Sequence, residues 1–294
     1  MTFRGTYTAL ITPFRDDRID AAAFKALIER QIAAGITGIV PVGTTGESPT
    51  VDTDEHIEVI RLAVEYAAGR CQVVAGTGAN ATKEAIELTQ AAEKVGATGT
   101  LQVVPYYNKP SQEGIYRHFR TIAENTGLPV MLYSVPGRSG VEIGVETTAR
   151  LAEDCKNIVS IKEAGGSVDR VNQLFQAVPA DFSILSGDDP LTLPFMSCGA
   201  VGLVSVASNL VPEVLVKLVQ TCLDGDFVAA LTQQKQWYPL FRGLMTLDVN
   251  PVPIKMAVAL QGHCTEELRL PLAPLTDAAK LQLRHLLEEF GLLA

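Results

Sequence analysis

Eight strand-length apolar runs recur along the chain, at 7–12, 38–42, 72–76, 100–104, 130–134, 158–163, 183–186 and 202–206. Most are rich in Val and Ile and apolar at successive positions, the pattern of parallel strands covered on both faces. Segments of helical period lie between them. Ala22, Phe24, Leu27, Ile28 and Ile32 mark the first, Ile57, Ile60, Leu62 and Val64 the second, and Ile86, Leu88, Ala91, Ala92 and Val95 the third. The punctuation agrees. Asp20, Thr53 and Ser111 are placed to cap helix starts, Asp54 and Glu55 to sit in a first turn, and Gly35, Gly69, Gly96 and Gly127 to follow helix ends. Right-handed crossovers wind such units into one sheet, and eight of them close a (β/α)8 TIM barrel, an α/β fold. An open doubly wound sheet is the competing architecture.

Beyond the eighth run only helical periodicity remains. Leu215, Leu218, Val219 and Cys222 make one face, Phe227, Leu231 and the 237–244 stretch follow, and Leu281, Leu283, Leu286 and Leu287 come last. That is more than one barrel helix needs. The expected organisation is a barrel over 1–224 and a C-terminal helical bundle over 225–294 packed on it, with no linker between them. The stretch 190–212 is uncharged and long enough to suggest a membrane span. Pro190, Pro194, Gly199, Gly202, Ser205, Ser208 and Asn209 break it up, so it reads as a short helix and a buried strand.

Composition narrows the classes. With 47% hydrophobic and 19% charged residues the chain has an ample core, which excludes disorder and fibrous architecture. A net charge of −9 without a basic run argues against nucleic acid and anionic membrane surfaces as partners. Cys71, Cys155, Cys198, Cys222 and Cys264 are far apart with no CxxC, and His56, His118, His263 and His285 show no metal-ligand spacing. No metal and no organic cofactor is expected. No signal-peptide pattern is expected in the first residues, and a cytoplasmic enzyme with reduced thiols is the simplest account.

In a barrel of this kind chemistry sits at the C-terminal ends of the strands. After the second run, GTTGES at 43–48 sets two hydroxyls and exposed backbone N–H groups in a tight turn, either an anion nest or an ordinary βα turn. After the third, GTGANA at 76–81 matches a dinucleotide fingerprint, but the acidic residue that should hold the ribose is missing. The sharpest signal is Lys162, inside an otherwise apolar strand. A free lysine amine (pKa about 10.4) is almost wholly protonated at pH 7, and burial favours the neutral form that attacks a carbonyl to make a Schiff base. Tyr133, on the neighbouring strand, can shuttle the protons that imine formation requires. The competing account makes Lys162 a snorkelling side chain paired with Glu163 or Glu142. No GxSxG elbow or P-loop is present.

GTTGES at 43–48, AGTGAN at 75–80, PYYNKPSQEG at 105–114, LYSVPGR at 132–138, IKEA at 161–164, LSGDD at 185–189 and NPVPIK at 250–255 resemble the dihydrodipicolinate synthase family over essentially the whole chain. The wider superfamily, which includes N-acetylneuraminate lyase, shares the barrel, the lysine and the tyrosine. The resemblance implies a class I aldolase-like lyase of diaminopimelate and lysine biosynthesis that condenses pyruvate with L-aspartate 4-semialdehyde. It implies Lys162 as Schiff-base nucleophile, and Tyr133, Thr44 and Tyr107 as a proton relay in which Tyr107 reaches in from a neighbouring subunit. Thr45 would hold the pyruvate carboxylate and Arg138 the semialdehyde carboxylate. The Val204 carbonyl would line the pyruvate pocket, with Gly187, Asp188 and Asn250 near the second substrate. A homotetramer built as a dimer of dimers is implied. So is feedback by L-lysine at Ser48, His56, Asn80, Glu84 and Tyr106. Ser134 and Gly137 depart from the family pattern without removing a reacting group, and Pro49 and Thr53 depart within the effector region. The rival readings are a sialic acid or keto-sugar-acid lyase, a nicotinamide-dependent oxidoreductase using the GTGANA turn, and a non-catalytic binding protein on the same scaffold.

Overall fold

A computed structural model describes residues 3–293. The chain opens with β1 (Gly5–Ala9), a two-stranded hairpin of β2 (Phe14–Arg15) and β3 (Arg18–Ile19), and α1 (Ala21–Ala33). Then β4 (Gly38–Val40), α2 (Thr53–Ala67), β5 (Gln72–Gly76), α3 (Thr82–Lys94), β6 (Gly99–Val103) and α4 (Gln112–Ala123) alternate. The alternation continues through β7 (Val130–Ser134), a one-turn α5 (Pro136–Ser139), α6 (Val145–Asp154), β8 (Ile158–Glu163), α7 (Val168–Ala177), β9 (Ser183–Ser186), α8 (Thr192–Ser197), β10 (Gly202–Ser205) and α9 (Pro212–Leu223). Three further helices follow, α10 (Phe227–Thr246), α11 (Val252–Leu260) and α12 (Asp277–Glu289).

Eight of the strands form a closed parallel barrel in the order β1-β10-β9-β8-β7-β6-β5-β4, with β1 pairing β4 to close it. The barrel and not the open sheet is therefore the architecture. Alternating positions of each strand divide into two cores. Phe3, Tyr7, Val40, Val74, Leu101, Met131, Leu185 and Val204 fill the barrel interior. The opposite faces pack with the helices: Phe119 and Ile122 of α4, Leu215 and Val219 of α9 and Leu240 and Phe241 of α10 belong to this outer layer. Both faces of each strand are thus dry, which is why the runs show little polar alternation. No helix among the described residues is long and apolar enough to cross a membrane. The 190–212 stretch is indeed α8 and β10, with short 3-10 turns on either side.

Several local expectations shift. The α2 N-cap is Asp52, not Thr53. The Asp52 side chain accepts from Glu55 N and the Glu55 side chain reaches back to Asp52 N, a capping box that leaves Thr53 as first helical residue. The first and second runs reach Thr12 and Val42, but their strands stop at Ala9 and Val40. The β2–β3 hairpin has no sequence signal of its own, being two residues a side. Phe227 and Leu231, read as part of an apolar face, are 40% and 45% exposed on α10, and Leu281 on α12 is 57% exposed.

One irregularity sets the direction of the central lysine. Between β7 and β8 the ladder pairs Val130 with Ile158, then Met131 with Ser160, so Val159 is bulged out of register. Ile158 and Ile161 both face the helical layer although they are three residues apart. Strict alternation from Ile158 would have turned Lys162 outward too. The extra residue reverses the parity, and Lys162 pairs with Tyr133 facing the barrel interior.

Candidate active site

The C-terminal ends of β4, β7, β8, β9 and β10 open on a cavity of about 500 Å³ lined by Thr45, Tyr133, Arg138, Lys162, Gly187, Asp188, Val206, Met245 and Asn250. Lys162 and Tyr133 are each 5% exposed, and the Lys162 Nζ lies 4.2 Å from the centroid of the Tyr133 ring. No salt bridge reaches Lys162 among the described residues. The carboxylates that could have paired with it are taken. Glu163, the next residue, points to the opposite face, where its Oε2 accepts from Arg170 Nε at 2.9 Å and its Oε1 from Gly165 N at 2.7 Å. Glu142 sits 3.2 Å from Arg170 Nη1. Burial holds the Glu163 carboxyl above its ordinary pKa, against the opposing pull of Arg170. The snorkelling account of Lys162 fails on this geometry. Arg170 was absent from the sequence reading, and its spacing of seven from Glu163 across a loop gave no signal.

Gly187 makes room for the lysine. A Cβ at that position would lie 2.9 Å from Lys162 Cε and 2.7 Å from Ala164 Cβ, so any larger residue would displace the amine. This ties LSGDD to Lys162 by volume.

The 43–48 turn consumes the amides of its second half. Gly46 N and Ser48 N donate to Gly43 O, and Glu47 N donates to Thr44 O at 3.2 Å. The N–H groups of Thr44 and Thr45 have no acceptor among the described residues and remain available to an anion. Asn250 Nδ2 donates to Thr45 Oγ1 at 3.0 Å, which leaves the Thr45 hydroxyl proton free. The Asn250 carbonyl in turn accepts from Arg138 Nη2 at 3.0 Å. Two buried acceptors of residues that line the same cavity, Asp188 Oδ1 and Asn250 Oδ1, have no partner among the described residues.

Other expected residues distribute differently. Val204 is buried inside the barrel, and Val206, two residues on, is the one whose side chain reaches the cavity wall. Met245 and Val249, from the segment around the end of α10, also line it and had no signal in the sequence. Thr44 and Tyr133 share a small cleft of about 30 Å³ behind the main cavity. Tyr107 is 90% exposed at a φ of 71° and lies outside the cavity of its own chain. Ser48, Tyr106, Thr44 and Arg138 border a further cavity of about 220 Å³. Asn80 Nδ2 donates to Tyr106 O at 3.3 Å, and Glu84, exposed on the first turn of α3, adds its charge to burial in raising the Tyr106 pKa. His56 stands apart. It is 5% exposed, its Nε2 donates to Gly76 O at 2.7 Å, and burial depresses its pKa.

The GTGANA turn has a packing explanation. A Cβ at Gly78 would fall 2.3 Å from Val103 N, and one at Gly76 would fall 2.5 Å from Val42 O, so both glycines serve strand contact. Thr77 is buried against Thr89 and Thr100. The turn offers no cradle for a pyrophosphate, and the nicotinamide reading falls. A larger cavity of about 850 Å³ lies between Asp17, the α2 N-terminus and Leu268–Leu270, but Asp17 and Glu55 there are paired with Arg269, Glu267 accepts from Asp16 N and Asp17 N, and no lysine, cysteine or histidine lines it.

Comparison with known proteins gives the family. The profile of the dihydrodipicolinate synthetase family matches residues 2–290. A 4-hydroxy-tetrahydrodipicolinate synthase of Endomicrobium trichonymphae is 47% identical over 99% of both chains. The solved structure of the corresponding enzyme from Methylacidiphilum fumariolicum is 54% identical, superposes with a TM-score of 0.95 and is covered fully in both chains. The Cyanidioschyzon merolae structure, solved with lysine bound, is 42% identical with a TM-score of 0.96 over 99% of both chains.

Proposed function

Because the chain belongs to the dihydrodipicolinate synthetase family, we propose that Lys162 carries its reaction as a Schiff base. The chain is a lyase that condenses pyruvate with L-aspartate 4-semialdehyde to 4-hydroxy-tetrahydrodipicolinate, in diaminopimelate and lysine biosynthesis. The observation that carries the residue assignment is Lys162 Nζ standing unpaired over the Tyr133 ring inside the cavity. The neutral amine adds to the pyruvate carbonyl, and water leaves as the imine forms. A methyl proton is then lost to give an enamine. The enamine carbon bonds to the aldehyde carbon of the semialdehyde, whose oxygen takes a proton. Attack by the semialdehyde amino group on the imine carbon closes the ring and frees Lys162.

Tyr133 moves these protons in this reading, supported by the cleft it shares with Thr44. The free amide and hydroxyl proton of Thr45 suit the pyruvate carboxylate. The planar fork of Arg138 suits the carboxylate of the second substrate. Asp188 and Asn250, which line the cavity, suit its amino group. The exposure of Tyr107 supports its insertion into a neighbouring subunit, within a homotetramer of two such dimers. Borohydride reduction with pyruvate should add pyruvate mass to the peptide containing Lys162. Label elsewhere, or none, would sink the assignment. Lys162→Ala should lose trapping altogether, and Tyr133→Phe should slow turnover by about 10²–10⁴-fold.

L-lysine is the proposed effector, held by Ser48 and Tyr106, which border the 220 Å³ cavity, together with Asn80, Glu84 and His56, whose Nε2 is tied to Gly76 O. Initial rates should fall at millimolar lysine, and Glu84→Ala should remove the inhibition. A flat rate in the wild type counts against the idea.

A further inference from the structure

The turn that presents Thr44 and Thr45 is bounded by two strained residues. Val42 has φ 52° and Glu47 has φ 58°. Neither is glycine, and Val42 is β-branched. Such conformations persist only where the surroundings over-determine them. Part of the constraint is local: a Cβ at Gly46 would lie 2.9 Å from Val42 N, so the turn closes tightly on itself. The rest comes from the far end of the sequence. Lys255 Nζ, on α11, meets Glu47 Oε1 at 2.5 Å, with the two side chains 0% and 1% exposed. Arg269 N donates to Glu47 Oε2 at 3.1 Å. Both carboxylate oxygens of Glu47 are therefore held by the C-terminal segment.

Stability alone does not account for this pair. A buried ion pair of this kind is often matched or bettered by apolar residues of similar volume. What charge supplies is a short, directional anchor. That anchor lies one peptide from the chemistry. Glu47 N donates to Thr44 O, and Thr44 C=O shares a rigid peptide plane with Thr45 N–H. Fixing Glu47 thus fixes the direction in which the free Thr45 N–H points. Lys255 and Glu47 touch neither Lys162 nor Tyr133, and neither lines the catalytic cavity.

We propose that Glu47 and Lys255 are positioning residues whose ion pair aims Thr45 at the carboxylate of pyruvate. The proposal rests on the reading of Thr45 as the group that binds that carboxylate and of Lys162 as the nucleophile.

The test measures the pyruvate concentration that half-saturates borohydride trapping on Lys162, the semialdehyde KM and the thermal midpoint. It compares wild type, Glu47→Gln and the double variant Glu47→Ala/Lys255→Met. Glu47→Gln keeps the size and loses the charge, and half-saturation should rise at least threefold. The double variant removes both charges, so its thermal midpoint should return towards the wild-type value. Its half-saturating pyruvate should stay at least tenfold raised, with the semialdehyde KM moved less than threefold. A purely structural pair would recover both properties together. Wild-type half-saturation in either folded variant overturns the proposal, and Glu47→Gln decides alone should the double variant not fold. Absence of trapping on Lys162 in the wild type would instead overturn the underlying assignment of the site.

Discussion

Arg138 is exposed, and its Nη2 donates to the Asn250 backbone carbonyl, so in its proposed role it exchanges that contact for the carboxylate of the second substrate. Losing a charge-assisted hydrogen bond costs roughly 1.5–3 kcal/mol, or about 10–150-fold at 1.4 kcal/mol per decade. Arg138→Ala should lower kcat/KM for the semialdehyde by that order and leave pyruvate trapping on Lys162 nearly unchanged. Equal damage to both substrates would assign Arg138 to the scaffold. At this scale Lys162 was legible because a lysine in an apolar strand needs a reason. That it stands unpaired was not, because Arg170 takes Glu163 and Glu142 through a fold-dependent contact. His56 shows the reverse. It matched a binding position by sequence, but its Nε2 bond to the Gly76 carbonyl, which leaves Nδ1 for a ligand, had no mark in either segment.

Among elements, the connection between β9 and β10 depends on Asp189. It is 2% exposed, and its carboxylate accepts from Ser205 Oγ at 2.5 Å, Val206 N at 3.0 Å and Ala207 N at 2.9 Å. Burial nevertheless pushes its pKa from 3.8 to about 6. Between these values the folded chain holds a proton that the unfolded chain has released, so stability falls as pH rises through the window and is flat above it. The shift corresponds to about 3 kcal/mol at 1.36 kcal/mol per unit. Denaturant titrations from pH 4 to 7 should show wild type losing stability relative to Asp189→Asn up to pH 6. A constant difference across the range would contradict this. The strands themselves were readable because dry faces on both sides leave long apolar runs. The bulge at Val159 was not. A one-residue slip leaves no mark on the composition of IVSIKE, yet it decides which way Lys162 faces.

At the level of the whole molecule, Tyr107 lies outside its own cavity, and the proposed relay needs a second copy. Tyr107→Phe and Lys162→Ala, each inactive or nearly so, should regain activity when mixed and allowed to exchange subunits. One site of a mixed dimer then holds an intact Lys162 and the partner's intact Tyr107. No recovery in verified mixed dimers would place the relay within one chain. The closed barrel followed from eight evenly spaced apolar runs. The grip of residues 250–269 on the 43–48 turn could not be read from either segment, because it joins positions 208 residues apart. That grip has a consequence for how the protein is made. Synthesis runs from the N-terminus, and every barrel strand is present once Ser205 has been added. Asn250, Lys255 and Arg269 are added later, so a ribosome-bound chain can possess Lys162 and a complete set of strands while the turn beside it is still unsecured. The Lys162 amine gains its finished surroundings only after residue 269 has been added, and a chain halted earlier carries Lys162 without the contacts that hold the Thr44–Thr45 turn.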